Sequence, residues 1–225
     1  MKPQGKLSIV ATPIGNFGDI TLRAIETLKN ADVVILEERR QGTTLLKKLD
    51  IAPRDILALN EHNEETDSLS IIARLINGEN IALMSDAGTP VFADPGAYLI
   101  RQAIEMGIQV IPIPGPSSLM AALSVLNFKL ERFVFGGFLS RVPDQRRQEL
   151  TQLRGLHMPV VLLDAPYRLT ALLEDVGKIF GKNRQVTLAY DLTLPGETIF
   201  RGTAIDVQRQ TANRKGEYVL VIHAE

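Results

Sequence analysis

The 225-residue sequence contains no cysteine, which excludes a disulfide framework, a thiolate zinc site and a cysteine nucleophile, and fits a cytoplasmic protein. It has no run of eighteen apolar residues, so no membrane-spanning helix is expected. The opening stretch "MKPQGKLSIVATPIGN" carries an apolar segment too short for a signal peptide, and Pro13 and Gly15 break it too soon. His62, His157 and His223 lie far apart and lack metal-ligand spacing, so no metal is expected. Neither a GxGxxG fingerprint nor a P-loop is present, and no GxSxG pattern surrounds Ser117 or Ser118. Without a long repeat or a low-complexity tract, no repeat architecture is expected. A large charge of one sign is missing too: the net charge is −1, which argues against a strongly basic nucleic-acid binder. The halves differ, however. Up to Ser118 there are 11 Lys and Arg against 15 Asp and Glu, and from Leu119 onward 14 against 11, so the second half is the better candidate for meeting an anion.

What is present is an alternation of short apolar runs and amphipathic segments. "KLSIVATP", "DVVILEE", "DILALN", "NIALMSD" and "QVIPIPG" read as strands; the segments between them place apolar residues three and four apart, as helices do. This β-α rhythm implies an α/β fold with a mostly parallel sheet flanked by helices. Asp19 is placed to cap the first helix, and Gly78 and Gly107 to close two others. After Leu126 the rhythm changes. Helices "PDQRRQELTQLRG" and "YRLTALLEDVGKIFG" accompany strands "RFVFGGFLS" and "MPVVLLDAP", and three strands with short connections follow, which implies antiparallel pairing and a mixed sheet. Two α/β subdomains are expected, residues 1–118 and 119–225.

Between Ser85 and Pro95 the chain spends eleven residues where a plain strand-to-helix connection needs about two to six. Shaped loops of this kind serve as sites more often than as slack. Ligands of open α/β sheets bind outside the carboxyl ends of the strands. Four segments reach that edge: "ATPIGNFGD", "EERRQG", "SDAGTPVFADPG" and "IPGPSS". Within them Asp94, just before Pro95, is placed as a helix N-cap.

In this order, "SIVATPIGNFGDITLRAIETLKNADVVILEE", "LMSDAGTPVFADPGAYLIRQA" and "VIPIPGPSSLMAAL" resemble the tetrapyrrole methylase superfamily of S-adenosylmethionine-dependent methyltransferases. Within it the chain is most similar to the enzymes that methylate the ribose 2′-oxygen of a cytidine in small-subunit ribosomal RNA; "FVFGGFLS", "LDAPYRL" and "RKGEYVLVI" agree. The resemblance implies S-adenosyl-L-methionine as cofactor, held in a cleft between an N-terminal and a C-terminal domain, and a homodimer. Carried over by position, it implies cofactor contacts at Pro13, Asp86, Gly88, Thr89, Ser117 and Ser118, and from the second domain at Leu163, Ala189 and Gly216. A ribose hydroxyl is a poor nucleophile and needs help to lose its proton. Glu38 is the candidate to orient or deprotonate it, and Arg39 to hold a phosphate.

The chain departs from the ribosomal RNA enzymes on the substrate side. An E-D-T-R type segment is here Glu37, Glu38, Arg39 and Arg40; a Tyr-Glu-Ala-Pro-His-Arg type segment is Leu163 to Arg168; an R-E-L-T-K type strand is Tyr190 to Leu194. The sequence also ends at "HAE", without the further C-terminal segment of the longer members. Basic residues remain at Arg141, Arg146, Arg147 and Arg154, and at Arg209, Arg214 and Lys215, as solvated helix faces or phosphate contacts. Phe133, Phe135 and Phe138 at strand spacing read as core, and no interleaving of aromatic and basic residues marks a stacking platform. Two other readings stay open on the sequence: a divergent paralogue acting on another RNA position or a small molecule such as a corrinoid, and a silent cofactor-binding protein.

Overall fold

The computed structural model describes residues 3–92, 94–212 and 214–224. The chain divides into two compact units, residues 1–117 and 118–225, one residue before the boundary drawn from the sequence.

Unit 1 alternates strands and helices without exception: β1 (Lys6–Val10), α1 (Leu22–Asn30), β2 (Val33–Leu36), α2 (Arg39–Lys48), β3 (Asp55–Ala58), α3 (Glu64–Ile76), β4 (Ile81–Met84), α4 (Ala97–Glu105) and β5 (Gln109–Ile113). Its sheet runs β3-β2-β4-β1-β5 with every pairing parallel. Strand side chains alternate between faces, and both faces are apolar here because both are covered. Val33, Ile35, Ile81 and Leu83 pack with α3 and α4 through Ile71, Leu75 and Leu99. Their chain neighbours Val34, Leu36, Ala82 and Met84 pack with α1 and α2 through Leu28, Leu45 and Leu46. Each such fully buried side chain contributes roughly 1.5–3 kcal/mol of transfer free energy. Continuous apolar runs are therefore what a doubly covered parallel strand requires. The connection after β1 leads to the α1–α2 face and the one after β4 to the α3–α4 face. Since β1 and β4 are neighbours, a crevice opens between their carboxyl ends.

Two capping expectations are corrected. Thr21, not Asp19, caps α1, accepting from Ala24 N at 3.1 Å; Asp19 lies in the short 3-10 turn before it. Asp94 does not cap α4 either. Gly96 stands at that position with φ 130°, and Glu64 of α3 accepts from Gly96 N at 2.9 Å and Tyr98 N at 2.7 Å. Gly78 and Gly107 do follow α3 and α4, both at positive φ.

Unit 2 comprises α5 (Ser118–Ser124), β6 (Val134–Gly137), α6 (Pro143–Arg154), β7 (Val160–Asp164), α7 (Leu169–Ile179), β8 (Gln185–Tyr190), β9 (Thr198–Thr203), α8 (Ala204–Gln210) and β10 (Tyr218–Ile222). Its mixed sheet runs β6-β7-β10-β8-β9, with β6 and β7 parallel and the other neighbours antiparallel. One face packs with α6, α7 and α8 around Leu150, Leu172, Val176 and Val207; the other meets α5 through Ala122. The expected run of three strands is interrupted. Helix α8, fastened by a Thr203–Asp206 capping box, follows β9, and β10 inserts between β7 and β8.

Candidate functional site

Four strand-end loops of unit 1 are tied together. Thr12, after β1, and Gly88, after β4, exchange two backbone hydrogen bonds of 2.8 and 3.1 Å. Gly88 holds φ 83°, and a Cβ there would meet Ile14 Cγ2 at 3.2 Å, so the left-handed turn and the close approach both call for glycine. Thr12 is fully buried, and its hydroxyl donates to the Ser85 carbonyl at 3.2 Å. The loop after β2 joins through Asp86, whose Oδ1 accepts from Glu38 N at 3.2 Å while its own amide donates to Glu37 Oε2 at 3.4 Å. Thr89 Oγ1 donates to the Pro116 carbonyl at 3.2 Å, which brings in the loop after β5. The β4 loop is held under strain, since the β-branched Val91 sits at φ 73°.

Over these loops lies a cleft of about 530 Å³ whose lining includes Pro13, Ile14, Phe17, Glu38, Arg40 and Asp86. Its floor is electronegative. Burial raises the Asp86 carboxyl above the usual range, partly offset by the Glu38 amide. Burial raises Asp94 also, against a hydrogen bond with Ser85 that lowers it. Glu37 is raised by burial and then by the charges of Asp94 and Asp86. Carboxylates that are desolvated and repel one another favour a ligand that brings positive charge.

The sequence candidates of this unit are only partly gathered. Pro13, Glu38 and Asp86 line the cleft, and Gly88 shapes its floor. Arg39 turns away, its Nη2 donating to the Ile56 carbonyl at 3.2 Å, and Arg40 faces the cleft instead. The reason is helical phase. Read as a loop, "EERR" gives no preference between the arginines, but α2 begins at Arg39, and successive helical residues point about 100° apart. Glu37, Arg40, Phe17 and Gln41, which donates to Glu38 Oε2 at 3.0 Å, were missed. A charge run at a strand end was the available signal for the first two. Ser117 closes unit 1.

In unit 2, Ser118 opens α5. Leu163 and Ala189 both pair with Val219, so the three form one row across β7, β10 and β8 on the α5 face. Gly216 lies before β10, where a Cβ would fall 2.2 Å from Asp191 Oδ1. Of the basic residues expected here one is internal and two are engaged at the surface. Arg146 is buried with its Nη2 2.7 Å from Asp175 Oδ2, Arg147 pairs with Asp144, and Arg154 donates to the Ile179 carbonyl at 2.8 Å.

A family model described as Tetrapyrrole (Corrin/Porphyrin) Methylases matches residues 6–208. The chain is 44% identical over 226 residues to the ribosomal RNA small subunit methyltransferase I of Xylella fastidiosa, covering 99% of this chain and 82% of that protein. To the protein of the same name from Escherichia coli O157:H7 it is 40% identical, covering 97% and 78%. The Leptospira biflexa protein of that name is 36% identical, covering 99% and 92%. Among solved structures, the chain is similar to a cobalt precorrin-4 methyltransferase at TM-score 0.68 and 20% identity, covering 97% of this chain and 94% of that one. A uroporphyrin-III-C-methyltransferase from Thermus thermophilus gives 0.67 and 21%, covering 98% and 94%.

Proposed function

Because the chain belongs to the tetrapyrrole methylase family, we propose that it is an S-adenosylmethionine-dependent methyltransferase acting on the ribose 2′-oxygen of a cytidine in small-subunit ribosomal RNA. The observation that carries this reading is the electronegative cleft of unit 1, combined with identity of 36–44% to relatives named as small-subunit ribosomal RNA methyltransferases.

The cleft residues fit the cofactor's chemistry. Asp86 and the neighbouring carboxylates suit a cationic sulfonium and an ammonium, and Asp86 can accept from an amino or hydroxyl group. The Thr12–Gly88 bridge brings backbone close to the cleft with little side-chain bulk, and Pro13, Gly88, Thr89 and Ser117 complete the assignment in unit 1. In unit 2 the assigned contacts are Ser118, Leu163, Ala189 and Gly216. When bound, the cofactor supplies an electrophilic methyl group for in-line displacement. The chain's own contribution is alignment, which removes a large part of such a barrier. Glu38, fixed by Gln41, accepts the hydrogen of the ribose hydroxyl and sharpens its nucleophilicity. Arg40 takes the phosphate-holding role that the sequence assigned to Arg39. The working assembly under this reading is a homodimer.

The test is made in the organism. Deletion of the gene should remove one ribose methylation from small-subunit RNA, seen as new alkaline cleavage 3′ of one cytidine, and the wild-type copy should restore it. An unchanged methylation map would refute the reading.

A further inference from the structure

Two aromatic side chains stand in solvent at one edge of unit 2. Phe138 follows β6 and is 59% exposed; Tyr167 follows β7 and is 76% exposed. Strands β6 and β7 are parallel neighbours, so both loops leave the same end of the sheet. The loops are bolted to each other. Arg168, next to Tyr167 and itself buried, donates through Nη2 to the carbonyls of Leu139 at 3.0 Å and Ser140 at 2.6 Å, and its Nη1 lies 3.0 Å from Asp164 Oδ1.

Each ring is also held outward by its backbone. In β6 the register shifts between Phe135 and Gly137, and Gly137 takes φ 63°. Such a bulge re-aims the following side chain and breaks the alternation that would have returned Phe138 to the core. Tyr167 is the middle residue of a 3-10 turn begun by Pro166, whose ring fixes φ. Aromatic side chains have few rotatable bonds and so lose little entropy on binding, and exposed ones offer a flat apolar face. Arg141, exposed and close enough to Asp164 to influence its charge, adds a cation at this edge, while Arg147 is already engaged by Asp144.

We propose that Phe138 and Tyr167 form a stacking platform for unpaired bases of the RNA acceptor, with Arg141 against the adjoining phosphate. This rests on the reading of the protein as an RNA methyltransferase. Paired aromatics beside a cation match single-stranded nucleic acid, whose bases stack and whose backbone is anionic.

The test uses the full-length protein and a fluorescein-labelled, cytidine-containing single-stranded RNA of about ten nucleotides, with affinity followed by fluorescence anisotropy. Phe138→Ala and Tyr167→Ala should each weaken binding about tenfold, and Tyr167→Phe should stay within about twofold, because stacking needs the ring and not the hydroxyl. Sedimentation velocity and S-adenosylmethionine calorimetry should match the wild type; both side chains are exposed, so the core is untouched. Wild-type affinity in both alanine variants would overturn the platform alone. Weaker binding accompanied by loss of a dimer would overturn it in favour of a face covered by a second copy. A wild-type protein that binds cofactor but neither binds nor methylates RNA would overturn the functional reading, and the platform with it.

Discussion

The backbone amide of Glu38 donates to Asp86 Oδ1 at 3.2 Å, joining the ends of two neighbouring strands, β2 and β4. The residue proposed to face the acceptor is thereby fixed by the residue proposed to face the cofactor.

Asp86 should show opposite pH trends in binding and in stability. Its folded pKa lies above the ordinary value of 3.8, so in the ligand-free protein the ionised form is the disfavoured one. Its contribution to stability therefore falls as pH rises from about 4 through the raised pKa. Cofactor affinity, which needs the carboxylate, falls as pH drops through the same window. Asp86→Asn should raise the melting temperature of the free protein at neutral pH by roughly 1–3 °C. It should also weaken S-adenosylmethionine binding about tenfold or more. Calorimetry and a thermal melt across pH 4–8 check both trends; a variant that melts lower and binds normally would contradict them.

Glu38→Gln should lower the rate of methyl transfer about a hundredfold with cofactor affinity unchanged. Arg40→Ala should raise the RNA KM more than Arg39→Ala does, because Arg40 lines the cleft and Arg39 is spent on the Ile56 carbonyl. Steady-state kinetics on the four proteins decides this, and a larger effect at Arg39 would restore the assignment made from sequence.

Gly88→Ala should cost about 1–2 kcal/mol, since alanine meets both the φ of 83° and Ile14 Cγ2. Denaturant unfolding measures the loss. Cofactor affinity should fall with it, because the Thr12–Gly88 bridge shapes the cleft floor.

Arg146→Ala should destabilise unit 2 by about 3–5 kcal/mol by leaving buried Asp175 without its strongest partner. Arg141→Ala should leave stability within about 0.5 kcal/mol and weaken RNA binding instead. Unfolding midpoints and anisotropy on both variants separate the structural arginine from the surface one.

The parallel half of the fold was legible because its strands are buried on both sides, so runs such as Val33 to Leu36 are apolar without interruption. What was not legible depends on contacts distant in sequence or on a single backbone angle. Glu64 caps α4 from more than thirty residues away, and no local signal competes with the nearby Asp94. Arg146 looks like any helix-surface arginine until Asp175 of α7 is brought beside it. Helix α8 was available in the T-x-x-D pattern of Thr203 and Asp206 but is short and follows a strand directly. Phe133 and Phe135 keep the count by twos, whereas Phe138 stands three residues further on, past the bulge at Gly137, and is exposed. For the candidate site, spacing located the loops, but only the phase of α2 chose between Arg39 and Arg40.

The measurement closest to the central claim is transfer of labelled methyl from S-adenosylmethionine to small ribosomal subunits purified from a strain deleted for this gene, followed by nuclease digestion and mass spectrometry of the labelled RNA. The expected result is one methyl group on the ribose of a single cytidine, formed about a hundredfold more slowly with Glu38→Gln. Cofactor binding with no label on RNA, or label on a base and not on a ribose, would contradict it.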